Sequence, residues 1–304
     1  MPHESAGVEI RELSTTDDLD RLTRIFDDVW HPDPTNRPVT TDMLRALSHA
    51  GNYVAGAFVG GQLAGGSVAF FGTPLGGELH SHITGVSRLG AGHRVGYALK
   101  MHQREWARKL GLSTITWTFD PLVARNAYFN ITKLGAVPAR YYRDFYGDIG
   151  AELGGTDESD RVLMRWSIAS EDDAPAGNGA RSDADGRLPE QPDAAARTVD
   201  DLIADGAVAA IDLTDPDRPH ADSKSVADTA TVLIPVPRDI DSMRRHHPVQ
   251  ATRWRHALRD AMAPLLDDSA EGTGDAGDSA AGRPVGFLRS GWYVFGPVGR
   301  PATA

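Results

Sequence analysis

Apolar residues recur at Leu19, Leu22, Ile25, Phe26 and Val29, the three-and-four spacing of a single helical face. Ser14, Thr15 and Thr16 ahead of them offer N-caps, and Asp17 and Asp18 suit the positive end of a helix dipole. Val8 to Leu13 predicts a short strand before this helix, and Thr41 to Ala50 a second short helix after the Pro-rich loop His31 to Pro38. Tyr53 to Val59 and Gln62 to Phe71 read as strands joined by Gly60-Gly61, a strong hairpin signal. A third strand is expected over Leu79 to Val86, then a turn at Arg88 to Gly92 and a helix to Leu110 closed by Gly111. The β-branched and aromatic run Thr114 to Phe119 predicts a strand ended by Asp120-Pro121. A short helix follows over about Ala124 to Leu134, stopped at Gly135. Arg140 to Tyr146 and Val162 to Ile168 complete this half as strands.

The pattern then lapses. Ser170 to Arg197 is rich in Ala, Gly, Asp and Pro and poor in large apolar residues, the composition of a disordered linker. Beyond it, Thr231 to Val236 reads as a strand. Pro248 to Leu266 reads as an amphipathic helix with Trp254, Leu258, Ala261, Met262 and Leu265 on one face, its last turn disturbed by Pro264. Asp267 to Gly282 is a second acidic, low-complexity stretch, and Val285 to Leu288 with Trp292 to Phe295 predict a hairpin. The expected division is a first domain over 1–169, a linker over 170–197, and a C-terminal α/β extension over 198–304 that carries the acidic loop 267–282.

Composition narrows the function classes. The 304 residues carry a formal net charge of -11, which repels a phosphate backbone and an anionic bilayer, so neither nucleic acid nor membrane is an expected partner. The absence of cysteine excludes disulfides, thiolate metal sites and a cysteine nucleophile. His246-His247 lacks further ligands at sensible spacing and reads as a surface pair, so no metal is expected. Met1 to Glu12 is polar and acidic, unlike a signal peptide, and no apolar run approaches the ~20 residues of a membrane span. A cytoplasmic location is the expectation.

The segment richest in chemistry is the strand, turn and helix from His80 to Leu110. Its turn, Leu89-Gly90-Ala91-Gly92-His93-Arg94-Val95-Gly96-Tyr97-Ala98, combines glycines that let backbone N–H groups approach a ligand with a helix N-terminus that attracts anions. Arg94 adds a charged donor. The arrangement suits a pyrophosphate. Gly90-Ala91-Gly92 with Gly96 also fits a dinucleotide turn, and any strand-to-helix turn can be glycine-rich for packing alone. Two features weigh against NAD. The turn lies mid-chain after a hairpin, and no acidic residue follows at the ~20-residue spacing of a ribose contact. On the helix, Lys100, Arg104 and Arg108 form a basic stripe that reads as a solvated face or as a contact for the CoA 3′-phosphate. His102 reads as a satisfied structural histidine.

Gly96-Tyr97-Ala98-Leu99-Lys100, Gln103-Arg104-Glu105-Trp106-Ala107, Trp117 to Leu122, Asn126 to Asn130, Lys133 to Ala136 and Phe145-Tyr146-Gly147 resemble a bacterial branch of the GNAT superfamily of acyltransferases. Some members of that branch resemble N-succinyltransferases. The resemblance implies an α/β (α+β) class: the GNAT fold, a mixed, mostly antiparallel sheet flanked by helices, here with a small C-terminal α/β extension. It also implies acetyl-CoA or another acyl-CoA as co-substrate, acetyl or succinyl as donor, and a small amine, such as an amino acid, as acceptor attacking the thioester directly. The family's pyrophosphate pattern falls on His93, Arg94, Val95, Gly96, Tyr97 and Ala98. His93 departs from the usual first residue and Arg94 stands beside it as a substitute. Val86 and Gly92 join them as cofactor contacts, and Asn126 and Asn130 as contacts for pantetheine.

For catalysis, backbone N–H groups of the strand Leu79 to Val86 are expected to face the thioester carbonyl. His80, His82 and Thr84 alternate and are expected on one face, with His82 preferred as general base and Glu78 as a weaker candidate. The family's usual acid tyrosine falls on Ile131; Tyr128, one turn earlier, is the candidate. Asp120 could bind the acceptor amine or cap the next helix. The tail either covers an acceptor pocket or forms a homodimer contact. Two other readings stand beside this one: a non-catalytic acyl-CoA-binding module, and an NAD(P)-dependent oxidoreductase.

Overall fold

The computed structural model describes residues 3–5, 7–32, 37–73, 75–147, 158–169, 197–215, 217–221, 231–266 and 284–296. The expected linker 170–197 lies almost wholly outside them, and the acidic loop 267–282 entirely so. Contacts group the chain into two compact units, Met1–Trp117 with Ser167–Ala174 and Thr118–Trp166 with Pro175–Ala304. This division cuts inside the expected first domain rather than at 169/170.

The first unit holds β1 (His3–Ser5), β2 (Val8–Glu12), α1 (Thr16–Trp30), α2 (Thr41–His49), β3 (Tyr53–Val59), β4 (Gln62–Phe71), β5 (Glu78–Val86), α3 (Val95–Lys109) and the body of β6 (Thr114–Phe119). Strands β1 to β5 are antiparallel neighbours in chain order, and β6 joins β5 in parallel. Helices α1 and α2 start on the Thr15 and Thr40 side chains, which accept from the backbone N–H groups of Asp18 and Met43. Gly60 and Gly61, at φ +57° and +77°, make the two-residue hairpin between β3 and β4 that the sequence predicts.

The sheet is covered on both faces. One cluster packs Leu13, Leu19, Leu22, Phe26, Val39 and Leu44 against Val54, Phe58 and Val68. On the other face α3 lies against β3, where Tyr53 donates or accepts at His102 Nδ1 over 2.9 Å and meets Trp106 edge-on. His102 is thus a satisfied structural histidine. Small residues in the strands admit the helices closely: a Cβ on Gly85 would lie 2.9 Å from Phe26 and Trp30 ring atoms.

The second unit contains α4 (Ala124–Ala127), which runs on as a π-helical turn over Tyr128–Lys133 rather than as one α-helix to Leu134. It also contains the antiparallel pair β7 (Val137–Tyr142) and β8 (Arg161–Ser167). Then come α5 (Val199–Ala204), β9 (Val208–Ala209), β10 (Ile211–Asp212), β11 (His220–Ala221), β12 (Val232–Pro235), α6 (Ile240–His246), α7 (Pro248–Leu266), β13 (Pro284–Leu288) and β14 (Trp292–Phe295). Strands β13, β14, β12 and β9 form a second sheet. Helix α7 and the β13–β14 hairpin match the sequence pattern; the short helices α5 and α6 are additional to it.

Buried charges knit the second unit together. The Asp120 carboxylate accepts from both terminal nitrogens of Arg255 at 2.7 and 2.9 Å and from Arg244 at 2.5 Å, and its Oδ1 accepts from the Leu122 N–H at 3.0 Å. Asp160 accepts from Tyr141 Oη at 2.6 Å and from Arg259, which also binds Glu158. Asp120 therefore caps the turn after β6 and is committed to arginines, not held out for an acceptor amine. Burial would raise its pKa, but Arg255 and then Arg244 bring it well below the usual carboxylate range. The stability this supplies is present above the unfolded pKa and is lost as pH falls towards the folded value. Asp120→Asn leaves buried guanidinium groups without their counter-charge. It should lower the unfolding free energy by about 3–5 kcal/mol in urea denaturation at pH 7.

Candidate active site

The site grows from the way β5 leaves β6. Their parallel ladder has three rungs, Glu78↔Thr114, Leu79↔Ile115 and His80↔Thr116, whereas β5 continues to Val86. From Ser81 onward the edge of β5 that faced β6 has no rung with it. The cause lies on the opposite edge. Along β4 the register steps from Val68↔Ile83 to Ala69↔Ser81, so His82 is an extra residue, a β-bulge. A bulge bends its strand and increases its twist, which turns β5 away from its parallel neighbour.

The bulge also resets the side-chain alternation. Ser81 meets Lys100 of α3, and Thr84, three residues later, shares with Ser67 a 2.8 Å contact on that same α3 face. Thr84 therefore does not share a face with His80 and His82, as plain alternation predicts. The two histidines do sit together, with ring centroids 5.2 and 5.7 Å from Phe70. His80 Nδ1 lies 3.3 Å from Thr116 Oγ1, which donates to Glu78 at 3.5 Å, so Glu78 is engaged at the strand start. His82 is hydrogen-bonded to the backbone of Pro38, in the loop between α1 and α2. Burial lowers both pKa values. His80 falls to about 4 with the help of His82 and Lys100, while the Pro38 contact partly offsets the fall at His82. Both imidazoles are thus neutral at pH 7 and able to accept a proton.

At the other end of β5 stands the predicted anion turn. A 3-10 turn at Arg88–Gly90 is followed by Gly92 at φ +81° and by Arg94 in the left-handed region at φ +55°. A non-glycine residue held there is a local strain of the sort that gathers at functional sites. Arg94 is the N-cap of α3 and gives no side-chain cap, in contrast to Thr15 and Thr40. The first N–H groups of α3, at Val95, Gly96 and Tyr97, precede the first intrahelical bond, Ala98 N–H to the Arg94 carbonyl at 3.0 Å. The glycines explain themselves unequally. A Cβ on Gly90 would lie 2.6 Å from Val86, so packing demands glycine there. A Cβ on Gly96 would meet nothing nearer than a Val86 methyl at 3.9 Å, so the protein's own packing gives no reason for the missing side chain.

Of the predicted contacts, Val86 ends β5 half-buried. Gly92, His93 and Arg94 are exposed, and Gly96 and Tyr97 are half-buried, with the Arg94 guanidinium 5.0 Å from the Tyr97 ring. The side chains of Val95 and Ala98 are buried, so these two can offer a ligand only backbone. Lys100 corrects the expected solvated stripe: it is 6% exposed and points into the sheet. Tyr128, Asn126 and Asn130 belong to the second unit. There the Tyr128 hydroxyl accepts from Arg289 Nε at 3.0 Å, Asn126 is exposed and Asn130 is buried.

No protein-family model matches the chain, and no curated protein does. Solved structures that it resembles include acetyltransferases, one of them a putative acetyltransferase of the GNAT family from Desulfovibrio desulfuricans. Ard1 from Thermoplasma volcanium is 17% identical, with a TM-score of 0.42, over 54% of this chain and 100% of that one. The ribosomal-protein-S18-alanine N-acetyltransferase of Escherichia coli is 18% identical, with a TM-score of 0.44, over 57% and 99%. The ribosomal-protein-alanine N-acetyltransferase of Brucella melitensis is 19% identical, with a TM-score of 0.42, over 52% and 98%. No helix among the described residues is long and apolar enough to cross a membrane.

The histidine environments make a prediction on stability. The unfolded chain takes up protons near pH 6.5, but folded His80 does so only near 4, so stability falls as pH drops through that window. His80→Gln should flatten the fall in urea midpoint between pH 6.5 and 4.5 relative to the unaltered protein.

Proposed function

We propose that the protein is an acyl-CoA-dependent N-acyltransferase of the GNAT type that acylates a small amine. The observation that carries the reading is an open β5 edge ending at an uncapped α3 N-terminus. From Ser81 to Val86 the edge runs roughly 17 Å at 3.3 Å per residue, on the order of an extended pantetheine arm. Two amides in that arm need peptide-like donors and acceptors, which a free strand edge offers. The pyrophosphate at the end of the arm matches the N–H groups of Val95, Gly96 and Tyr97 and the charges of Arg88 and Arg94. The open position at Gly96 fits close approach of such a group. A nicotinamide dinucleotide has no amide arm and would leave the strand edge unused.

In this reading His82 accepts a proton from the ammonium form of the acceptor. The freed nitrogen attacks the thioester carbonyl carbon, and backbone N–H groups of β5 support the oxygen as negative charge develops. The C–N bond forms and the C–S bond breaks, and the proton that the acylated nitrogen sheds goes to solvent as the leaving thiolate takes one from solvent or an acid. Tyr128, Asn126 and Asn130 enter only as the sequence resemblance suggests them. The donor is acetyl or succinyl, and an amino acid is one acceptor of the right class.

Thermal unfolding with CoA, acetyl-CoA, succinyl-CoA, NAD and NADP tests the cofactor. The CoA species should stabilise the protein, by about 2.7 kcal/mol at 100 times their dissociation constant, and the better thioester indicates the donor. Stabilisation by NAD(P) alone would replace this reading with the oxidoreductase. Gly96→Val should leave the ligand-free melting temperature nearly unchanged and abolish the CoA response.

His82→Ala tests catalysis. Turnover of the preferred acyl-CoA with a panel of amines should fall about 10²–10⁴-fold at pH 7, with CoA affinity retained. An unchanged rate would remove His82 as the base, and binding without turnover of any amine by the unaltered protein would leave the non-catalytic module.

A further inference from the structure

Helix α3 carries two polar side chains buried against the sheet that the reading above does not use, Lys100 at 6% exposure and Gln103 at 0%. Lys100 Nζ donates to Ser81 Oγ at 2.8 Å and lies 4.0 Å from the centre of the Trp117 ring. Ser81 is the residue after His80, and Trp117 the residue after Thr116, so both follow the last rung between β5 and β6. Lys100 thus occupies the crotch of the fork and touches both prongs. Four residues back on the same helix is Gly96, about 6 Å along the axis.

Gln103 makes the matching contact on the far side of the bulge. Its Nε2 donates to Ser67 Oγ at 3.3 Å, and Ser67 Oγ is 2.8 Å from Thr84 Oγ1. Helix α3 therefore grips β5 at Ser81 and, through Ser67, at Thr84, the two residues that bracket His82-Ile83. An apolar side chain could fill the space at Lys100. The amine is buried there at a desolvation cost that lowers its pKa to about 7. A hydroxyl and an aromatic face are its compensation.

We propose that Lys100 is a positioning residue. Through Ser81 it fixes the β5 backbone at the bulge, so that the helix that receives the pyrophosphate also sets where the strand edge meets the thioester carbonyl. The inference rests on the acyl-CoA reading. Acetyl-CoA labelled with carbon-13 at the thioester carbonyl supplies a readout by infrared difference spectroscopy. Bound to the unaltered protein, its carbonyl band should lie below the free position, because the oxygen accepts hydrogen bonds. Lys100→Met keeps an unbranched apolar stem and removes the amine; Ser81→Ala removes only the hydroxyl and guards against a Lys100 variant that does not fold. Both should keep CoA affinity within about threefold while the band moves back towards the free position. The double variant should move it no further than Lys100→Met, as expected for two groups acting through one contact. A band unmoved in both single variants, with CoA bound normally, overturns the proposal. If the unaltered protein binds neither CoA nor acetyl-CoA, the acyl-CoA reading fails and this inference falls with it.

Discussion

Strand β5 pairs in parallel with β6 for three residues and then goes its own way, and the architecture of the first unit depends on that parting. Backbone N–H and C=O groups are obligatory hydrogen-bonding groups, so a strand leaving a sheet interior must have its new course enforced. Here one extra residue, His82, shifts the register against β4, while Lys100 fills the crotch with a contact to each prong. The bulge, the buried lysine and the β5 edge, which has no rung with β6 beyond His80, are one device. Without the bulge the ladder to β6 could continue and the edge would be consumed by it.

Charge is distributed along β5 to match. At the fork end stand three basic groups, His80, His82 and Lys100, and burial pushes all three towards neutrality. At the turn end Arg88 and Arg94 are exposed, and guanidinium stays charged at any working pH. On the acyl-CoA reading, a cationic acceptor amine would meet two neutral imidazoles at the first end, and an anionic phosphate would meet cations and helix N–H groups at the second. The separation follows from burial, since desolvation disfavours the charged imidazoles and ammonium packed in the sheet, whereas the arginines of the turn are exposed.

What was legible in the sequence was what local spacing dictates. The face of α1, the Gly60-Gly61 hairpin, β5, α3 with its turn, and α7 all follow from periodicity and punctuation, and they agree with the structure. The bulge at His82 was not legible, because no glycine or proline marks it and strict alternation placed Thr84 with the histidines. Lys100 shares a helical spacing with Arg104 and Arg108 that suits a solvated stripe. A second series, Gly96, Lys100, Gln103 and Ala107, has equally helical spacing and is the inward one, and the small residues at its ends are the signal that could have been weighed. The left-handed conformation of Arg94 has no sequence mark beside Gly92, the conventional owner of such a φ. The partners of Asp120 were beyond reach for a different reason: Arg255 lies 135 residues away, and no local pattern encodes a contact of that separation.

That long-range pairing bears on how the tail should be regarded. The sequence pattern invites a division into a first domain over 1–169 and an appended extension over 198–304. Within the second unit, however, residues on both sides of that boundary share one buried charge network. Asp120, after β6, and Asp160, before β8, are carboxylates whose arginines come from α6 and α7, at Arg244, Arg255 and Arg259. A chain ending near 169 would keep the carboxylates and lose the cations. Burial raises the pKa of a carboxylate deprived of its counter-charge and costs stability in proportion. The Tyr293 hydroxyl, donating to the Pro121 carbonyl at 2.7 Å, adds a tie from the last hairpin to the same turn. Arg244, Arg255, Arg259 and Tyr293 are therefore integral to the unit, and the segment that directly follows β6 owes its conformation to residues more than a hundred positions downstream.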